Sequence, residues 1–555
     1  MNIIKTKLIQ GPVDIIYKFL FYFVFYYSFV VNVLTYSVIN SPDFAKYYRY
    51  FEFYSGNINN VNLEQGHFYF FINYLVVLII SGLNDYFTVN EIVNFSIHIG
   101  NSLIFLFGCL GMKKYLSRNY NLNNIYLVLS VICLLPTSFE LRVTFKPEIL
   151  AFSCISWLLY YLNEISDENN TGVNIIKFSI IFSVLVTSKI SIGFMVGLFL
   201  LLEIIYNKKN LLKKVNVKRS LIVFGLIGIL MIENFSLNNQ FITQVEHEEK
   251  YNNQASIDFF RNFKTENLRD NPNKYFYSQS FLGITLFDSF NDFFGFYANS
   301  EHTLLNKDRK QFFKVVFRSS EIFPIKLRFD KAQKELTFSG PYDRGWNEDN
   351  YIDETRMLSS FAFSVIFYFL LLMFLLFKKK LRIIMFSPFL GLLIISFSAL
   401  GLFGTNNFDP NTGDSFKSFY YSFFIIFAFG ILFSEILKFN IFKKSIAMFL
   451  VLLFLFFLGF PFEYNQTNQE FLIQLNSYFP TCEVNRFATD FLLSIDIETY
   501  CSKIVETKNL ISPGSEISNL DFTLSKIPFF NVLLIFLFLT LLIPKIKNSN
   551  YLRKI

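Results

Sequence analysis

The feature that most constrains this chain is the recurrence of apolar runs long enough to cross a membrane. A spanning helix needs about 20 mostly apolar residues. Such runs occur at roughly 15–39, 90–112, 122–139, 148–163, 174–188, 190–206, 220–235, 358–377, 383–403, 419–438, 445–462 and 527–544. Inside a bilayer the backbone has no water to bond, so runs of this length read as helices. The expected fold class is an all-α polytopic membrane protein with about 12 transmembrane helices. Composition agrees, since charged residues are 17% of the 555, against about 25% in an ordinary soluble domain. That leaves too little polar cover for a soluble enzyme, and 53% hydrophobic residues exclude a disordered chain. The first run is too long for a cleaved signal peptide, and no small-residue cleavage site follows it.

The net charge of +7 matters less than where the cations sit, because short cytoplasmic loops collect Lys and Arg. Lys5 and Lys7 place the N-terminus inside. Lys113, Lys114 and Arg118, the cluster Lys208 to Arg219, Lys378 to Arg382, Lys443 and Lys444, and Lys545 to Lys554 then also fall inside, provided that the short apolar stretch 68–82 does not cross. That stretch is read as a helix lying at the outer interface or dipping into it. The basic excess therefore sets orientation and does not point to nucleic acid. Residues 1–235 form an N-terminal membrane module of about seven spans with a first outer loop, 40–89. A large outer loop, 236–357, precedes the spans of 358–462. A second outer loop, 463–526, leads to the last span and basic tail, 527–555. With its polar mass outside, the protein is expected to work at the outer face.

The first outer loop carries the first chemistry. Asp43 follows the first span, and Asp43, Tyr47 and Tyr50 share a face at helical spacing. A carboxylate at a membrane surface can act as general base on a hydroxyl; the same Asp could simply cap the helix after Ser41-Pro42. Glu64-Gln65-Gly66-His67 opens the amphipathic stretch. Arg142, Lys146, Lys189 and Lys417 lie at outer span ends, against the inside bias. There they could hold an anionic phosphate by charge-assisted hydrogen bonds, or snorkel to headgroups. Lys189 interrupts a long apolar run and needs a partner or water. Glu148 begins a span, where a carboxylate suits a helix N-terminus or could orient an acceptor. Asp288, Asp292, Glu301 and His302 stand among aromatics in 280–302, either on a surface helix or as an acceptor-sugar platform.

Taken in order, the early Asp43 with its Tyr-rich helix, Gln65-Gly66-His67-Phe68-Tyr69, Lys113-Lys114, Arg142-Val-Thr-Phe-Lys146-Pro147-Glu148 and Asp414-Ser-Phe-Lys417-Ser-Phe-Tyr420-Tyr421 resemble the GT-C superfamily of integral-membrane glycosyltransferases. The resemblance covers about residues 1–210 and 383–440. It implies Asp43 as the catalytic carboxylate, juxtamembrane helices after it, and a polyprenyl-phosphate-sugar donor. Its phosphate would be held by Arg142, Lys146, Lys189 and Lys417. Tyr47, Tyr50, Glu64, His67, Glu148, Tyr420 and His302 would support the acceptor. The chain departs from the family in lacking a paired acid beside Asp43 and in having Gly66-His67 where Pro-Pro is usual.

The expected activity is therefore transfer of a sugar from a polyprenyl-phosphate donor to a cell-envelope glycan, lipid or protein, at the outer face of a bacterial inner membrane. The rivals are an O-antigen polymerase or ligase, for which Arg261, Arg269, Arg309, Arg318 and Arg328 are available, and a polysaccharide flippase or transporter. No HExxH or clustered His occurs among four histidines; no cofactor is expected, and a divalent metal is left open. Cys109, Cys133 and Cys154 fall in apolar runs as packing residues. Cys482 and Cys501 share an outer loop, where a disulfide is expected. The orientation itself is testable. Single cysteines replacing Asn84 and Ser117 are expected to react with an impermeant thiol reagent from outside at position 84 only; outside labelling at 117 would invert the topology.

Overall fold

The computed structural model describes residues 12–35, 38, 44–59, 65–84, 86–87, 89–167, 171–212, 217–238, 257–261, 280–290, 302–303, 311–318, 324–330, 335–339, 354–400, 418–438 and 522–540. These are mostly helical. The N-terminal module contains α1 (Pro12–Thr35), α2 (Phe44–Ser55), α3 (His67–Ile80), α4 (Val89–Leu116), α5 (Leu122–Leu134), α6 (Pro136–Val143), α7 (Glu148–Ser166), α8 (Thr171–Ser188), α9 (Ile190–Asn207), α10 (Lys209–Leu212) and α11 (Val217–Asn238). Beyond it come α12 (Ile257–Arg261), α13 (Phe281–Asp288), α14 (Glu354–Phe377), α15 (Arg382–Ala399), α16 (Ser422–Ile436) and α17 (Phe529–Thr540). Within the 236–357 loop, β1 (His302–Thr303), β2 (Gln311–Arg318), β3 (Pro324–Asp330) and β4 (Glu335–Ser339) pair antiparallel in that order, with Val315 opposite Leu327 and Leu327 opposite Phe338. The apolar-run reading does not foresee this strand element.

Among the described residues, six helices are long and apolar enough to cross a membrane, seven if the bent pair α5–α6 counts as one. The expected count of 12 includes 445–462, which lies outside the described residues. The α5–α6 bend of 64° falls at Leu135-Pro136. Pro136 lacks an N–H, and the residue before proline is driven to extended backbone, as Leu135 is at ψ 136°. The apolar run 122–139 is thus broken by a specific residue. At 1.5 Å per residue, the 14-residue α3 is about 21 Å long, short of the roughly 30 Å of hydrocarbon.

Two ends of the bundle can be told apart by what meets there. At one, Arg118 bonds Glu164 and Asp167, Lys113 donates to the Tyr126 hydroxyl at 2.6 Å, and Glu435 accepts from Tyr120 and Lys438, both at 2.6 Å. Lys378 approaches the same carboxylate at 3.6 Å, and Asn207 reaches the Lys380 carbonyl. Loops far apart in sequence therefore converge on one basic end. At the other end lie residues 142–148, 187–190 and 419–421. The helices joining the ends, α7, α9 and α16, have 19, 18 and 15 residues, or about 28, 27 and 22 Å.

Packing between α4 and α7 is close because α4 supplies glycines. A Cβ on Gly108 would lie 2.8 Å from Phe152, and one on Gly111 2.7 Å from Trp157. Trp157 Nε1 donates to the Phe107 carbonyl at 3.0 Å, and Ser153 Oγ donates to the Ile104 carbonyl. Small residues let helices approach in lipid, where packing replaces the hydrophobic drive. Gly111→Val is expected to overpack this crossing by about 1–3 kcal/mol, read as a lower melting temperature of the detergent-purified protein; an unchanged melt would show that the crossing tolerates the added methyls.

Candidate functional site

The site is built on polar groups placed where apolar helices break. Asn101, fully buried in α4, donates to the carbonyls of Arg142 at 3.0 Å and Thr144 at 2.9 Å, and accepts from the Tyr69 hydroxyl at 2.7 Å. These carbonyls stand at the end of α6, where helix termination leaves them without intrahelical partners. The turn that follows is fixed by Phe145, whose ring lies 5.1–5.7 Å from Phe51, Phe70, Phe44 and Tyr69. Lys146 then comes within 5.7 Å of the Phe419 ring centroid and is buried. Glu148 opens α7, fully buried, and its Oε1 accepts from Lys189 Nζ at 2.5 Å. Lys189 also lies 5.1 Å from the Tyr420 ring centroid.

Lys189 occupies the one-residue link between α8 and α9, in extended backbone with φ −156° and ψ 113°. The chain reverses there, since a Cβ on Gly193 would meet Val186 Cα at 2.7 Å. Against this apex lies the entry to α3. The Gly66 N–H donates to the Ser188 carbonyl at 3.0 Å, and a Cβ on Gly66 would sit 2.0 Å from the Thr187 carbonyl oxygen. No side chain fits, which accounts for glycine at this position. The Tyr50 hydroxyl donates to the Gln65 carbonyl at 2.6 Å, and the Tyr50 and Tyr47 rings stack on Phe70 at 4.1 and 5.2 Å. The Tyr54 hydroxyl and His67 Nδ1 share a hydrogen bond of 2.9 Å.

A strap from far along the chain covers the α2–α3 hairpin. Ser525 N–H donates to the Tyr54 carbonyl at 2.8 Å, Thr523 Oγ1 to the Ser55 carbonyl at 3.0 Å, and Lys526 Nζ to the Ile58 and Asn59 carbonyls at 2.9 and 2.6 Å. Beyond the strap, Glu233 of α11 accepts from the main-chain N–H groups of Phe530 and Asn531, capping the start of α17.

Of the residues singled out in the sequence, Lys146, Glu148, Lys189 and Tyr420 come together, with Tyr47, Tyr50 and His67 in the adjoining aromatic layer. Arg142 faces elsewhere. Its guanidinium donates to Ser28 Oγ and to the Cys133 carbonyl, both at 2.6 Å, and to the Ser138 carbonyl at 3.1 Å, and its carbon lies 5.0 Å from the Phe105 ring centroid. Only 1% of it is exposed, and its bonds brace α1, α5 and α6. His302 lies in β1, paired in register with Val315. Of the 280–302 stretch, Asp292 and Glu301 lie outside the described residues, and residues 280–290 include α13. Thr137 donates to the Ser289 carbonyl at 3.0 Å, and Phe290 packs on Phe363 and Phe367 at 4.7 and 4.9 Å, inside the bundle. Asp43, Glu64, Lys417, Cys482 and Cys501 lie outside the described residues. The sequence reading missed Asn101 and Tyr69; a carboxamide inside an apolar span was the available signal.

The charges of this turn are unusual in their burial: Glu140, Arg142, Lys146 and Glu148 are each at most 3% exposed. Buried ionisable groups are expensive and concentrate where chemistry is done. Among the described residues, no group of three or more His, Cys, Asp or Glu is placed to hold a metal. Comparison with known protein families, with characterised proteins and with solved structures finds no match to the chain.

Burial pushes His67 down to about 3, so the ring is neutral at physiological pH. It faces Tyr54, whose phenol burial holds well above its usual range, and Tyr50, whose ring lies 5.8 Å away. An unfolded His takes up its proton near pH 6.5. Between that pH and about 3 the unfolded chain therefore binds the extra proton, and stability is lost as pH falls, by up to about 1.4 kcal/mol per pH unit. His67→Gln is expected to flatten the fall in melting temperature between pH 7 and 5. Parallel curves for the two proteins would show that His67 is protonated when folded.

Proposed function

We propose that the protein is a polytopic glycosyltransferase of the GT-C type, acting at the outer face of a bacterial inner membrane. It would take its sugar from a polyprenyl-phosphate donor and pass it to a cell-envelope glycan, lipid or protein. One arrangement supports the reading: Lys146 lies over the Phe419 ring and Lys189 over the ring of its neighbour Tyr420, at the ends of α7, α9 and α16. That level is about one hydrocarbon thickness from the basic end, which is where the phosphate of a membrane-bound lipid donor would lie.

The chemistry follows from this placement. A hydroxyl of the acceptor attacks the anomeric carbon of the donor sugar, and the bond from that carbon to the lipid phosphate oxygen breaks. The hydroxyl proton passes to Asp43, the general base of this reading. Negative charge accumulates on the departing phosphate, where Lys146, Lys189 and Lys417 oppose it by charge-assisted bonds. Lys189 is held ready by Glu148, and Tyr420 offers its ring face to the ammonium. By resemblance the anomeric centre is inverted.

The test is a reconstituted transfer assay. Asp43→Asn keeps size and capping ability but removes the base. It is expected to fold and bind lipid donor while transferring sugar about 10²–10⁴-fold more slowly. Lys146→Ala and Lys417→Ala are expected to weaken donor binding. Near-normal transfer by Asp43→Asn would refute the assigned base.

A further inference from the structure

Two buried hydrogen-bond acceptors on residues around the α8–α9 turn have no donor. Glu148 is fully buried; its Oε1 is taken by Lys189, and its Oε2 is unpartnered. Gln65 is 7% exposed and its Oε1 is likewise unpartnered. Both residues border the same apex. Glu148 is bonded to Lys189 directly, and Gln65 precedes Gly66, whose N–H is bonded to Ser188. Buried acceptors are almost always satisfied, so two left open on residues around one turn ask for a ligand that donates. The open oxygen of Asn73 does not share this place. Asn73 Oδ1 lies against the α4 backbone at Gly100, where a Cβ would come within 2.1 Å of it.

The charge at the apex selects the kind of donor. The Glu148 carboxylate is already balanced by the Lys189 ammonium at 2.5 Å. A second cation on Oε2 would be only a few ångströms from that ammonium and repelled by it. A neutral O–H suffers no such repulsion and pairs well with a carboxylate oxygen. In the proposed donor, a single oxygen joins the sugar to the phosphate. A phosphate held at Lys189 therefore brings the sugar's hydroxyls to within a ring's width of it. We infer that Glu148 Oε2 and Gln65 Oε1 form a subsite that reads hydroxyl groups of the donor sugar and prefers a neutral polyhydroxylated sugar to one bearing a free amine. This rests on the donor class proposed above.

Binding to the full chain in lipid nanodiscs tests it, with polyprenyl phosphate and the same lipid phosphate carrying a neutral hexose as probes. The ratio of the two affinities isolates the sugar from the phosphate. Wild type is expected to bind the hexose-bearing lipid about tenfold more tightly. Gln65→Met removes one acceptor at nearly equal volume. Glu148→Gln keeps an oxygen for Lys189 but turns the open acceptor into a donor. Each is expected to reduce the ratio by about three- to tenfold, at a melting temperature close to wild type. If either variant fails to fold, the other carries the test. A lipid phosphate bearing an aminosugar is expected to lose most of the advantage. A wild-type ratio near one, a ratio unmoved in a folded variant, or an aminosugar bound as well as the hexose would overturn the subsite and leave the two oxygens to buried water. Failure of wild type to bind polyprenyl phosphate at all would instead overturn the donor class itself.

Discussion

The carboxamide of Asn101 is the contact on which the rest of the site depends. In a helix apolar enough to cross a membrane, an amide side chain is costly unless all its groups are bonded. Here both N–H groups and the oxygen are bonded, and each bond does structural work. The two donors close carbonyls left open where α6 stops, and the acceptor ties in Tyr69 of α3. A cap is thus delivered from a neighbouring helix rather than from within α6. Because the cap fixes the main chain at 142 and 144, Phe145 enters the aromatic layer, and Lys146 and Glu148 are carried to their positions. The polar bonds set the geometry; the rings around Phe145 make it rigid.

The sorting of charge between the two ends follows from the same economy. At the basic end, cations meet Glu164, Asp167 and Glu435, and several are half exposed, as Lys378 and Lys438 are. Exposed pairs of this kind contribute little to stability individually. Their value is that they record which loops share a side. At the site end the charges are buried, and there the Coulomb term and the desolvation cost are both large. Replacing such a pair by apolar residues of similar size is often neutral or stabilising. The Glu148–Lys189 pair is therefore poorly explained by stability alone, and its position beside a helix reversal needs another reason.

Much of the helical plan was legible in the sequence, because apolar runs of about 20 residues admit few structures. The described counterparts of the expected spans are helices within a few residues of the expected bounds, as Glu148–Ser166 and Ile190–Asn207 illustrate. The run at 122–139 reads as continuous because hydropathy does not register the missing N–H of Pro136, where the pair α5–α6 bends by 64°. The site was half legible. Lys146, Glu148 and Lys189 stood out as charges at the ends of apolar runs, and polar groups there are rare enough to notice. Arg142 carried the same signal, yet its guanidinium turns inward to two carbonyls and Ser28. Sequence gives the depth of a side chain and not its rotamer, and bracing and binding differ only in the rotamer. Asn101 was harder still, since its importance lies in partners 32 to 43 residues away, and Gln65 is marked only by its neighbour Gly66, whose N–H is bonded to Ser188.

The reversal at Lys189 bears on why a cation stands there at all. Without a break, α8 and α9 would make one helix of about 55 Å, too long for one crossing. A turn is needed, and Gly193 supplies the room for it by letting Val186 approach. Nothing in that turn requires a charged residue, because Lys189 makes no side-chain cap at α9. Its ammonium instead crosses to another helix to find Glu148, and a third segment brings Tyr420 over it. A residue that is dispensable for the turn but contacted from two other elements is placed for what it touches. Its neutralising partner keeps one oxygen bonded to it and leaves the other open, so in the proposed reading an arriving anion would meet a cation already positioned, with a free carboxylate oxygen beside it.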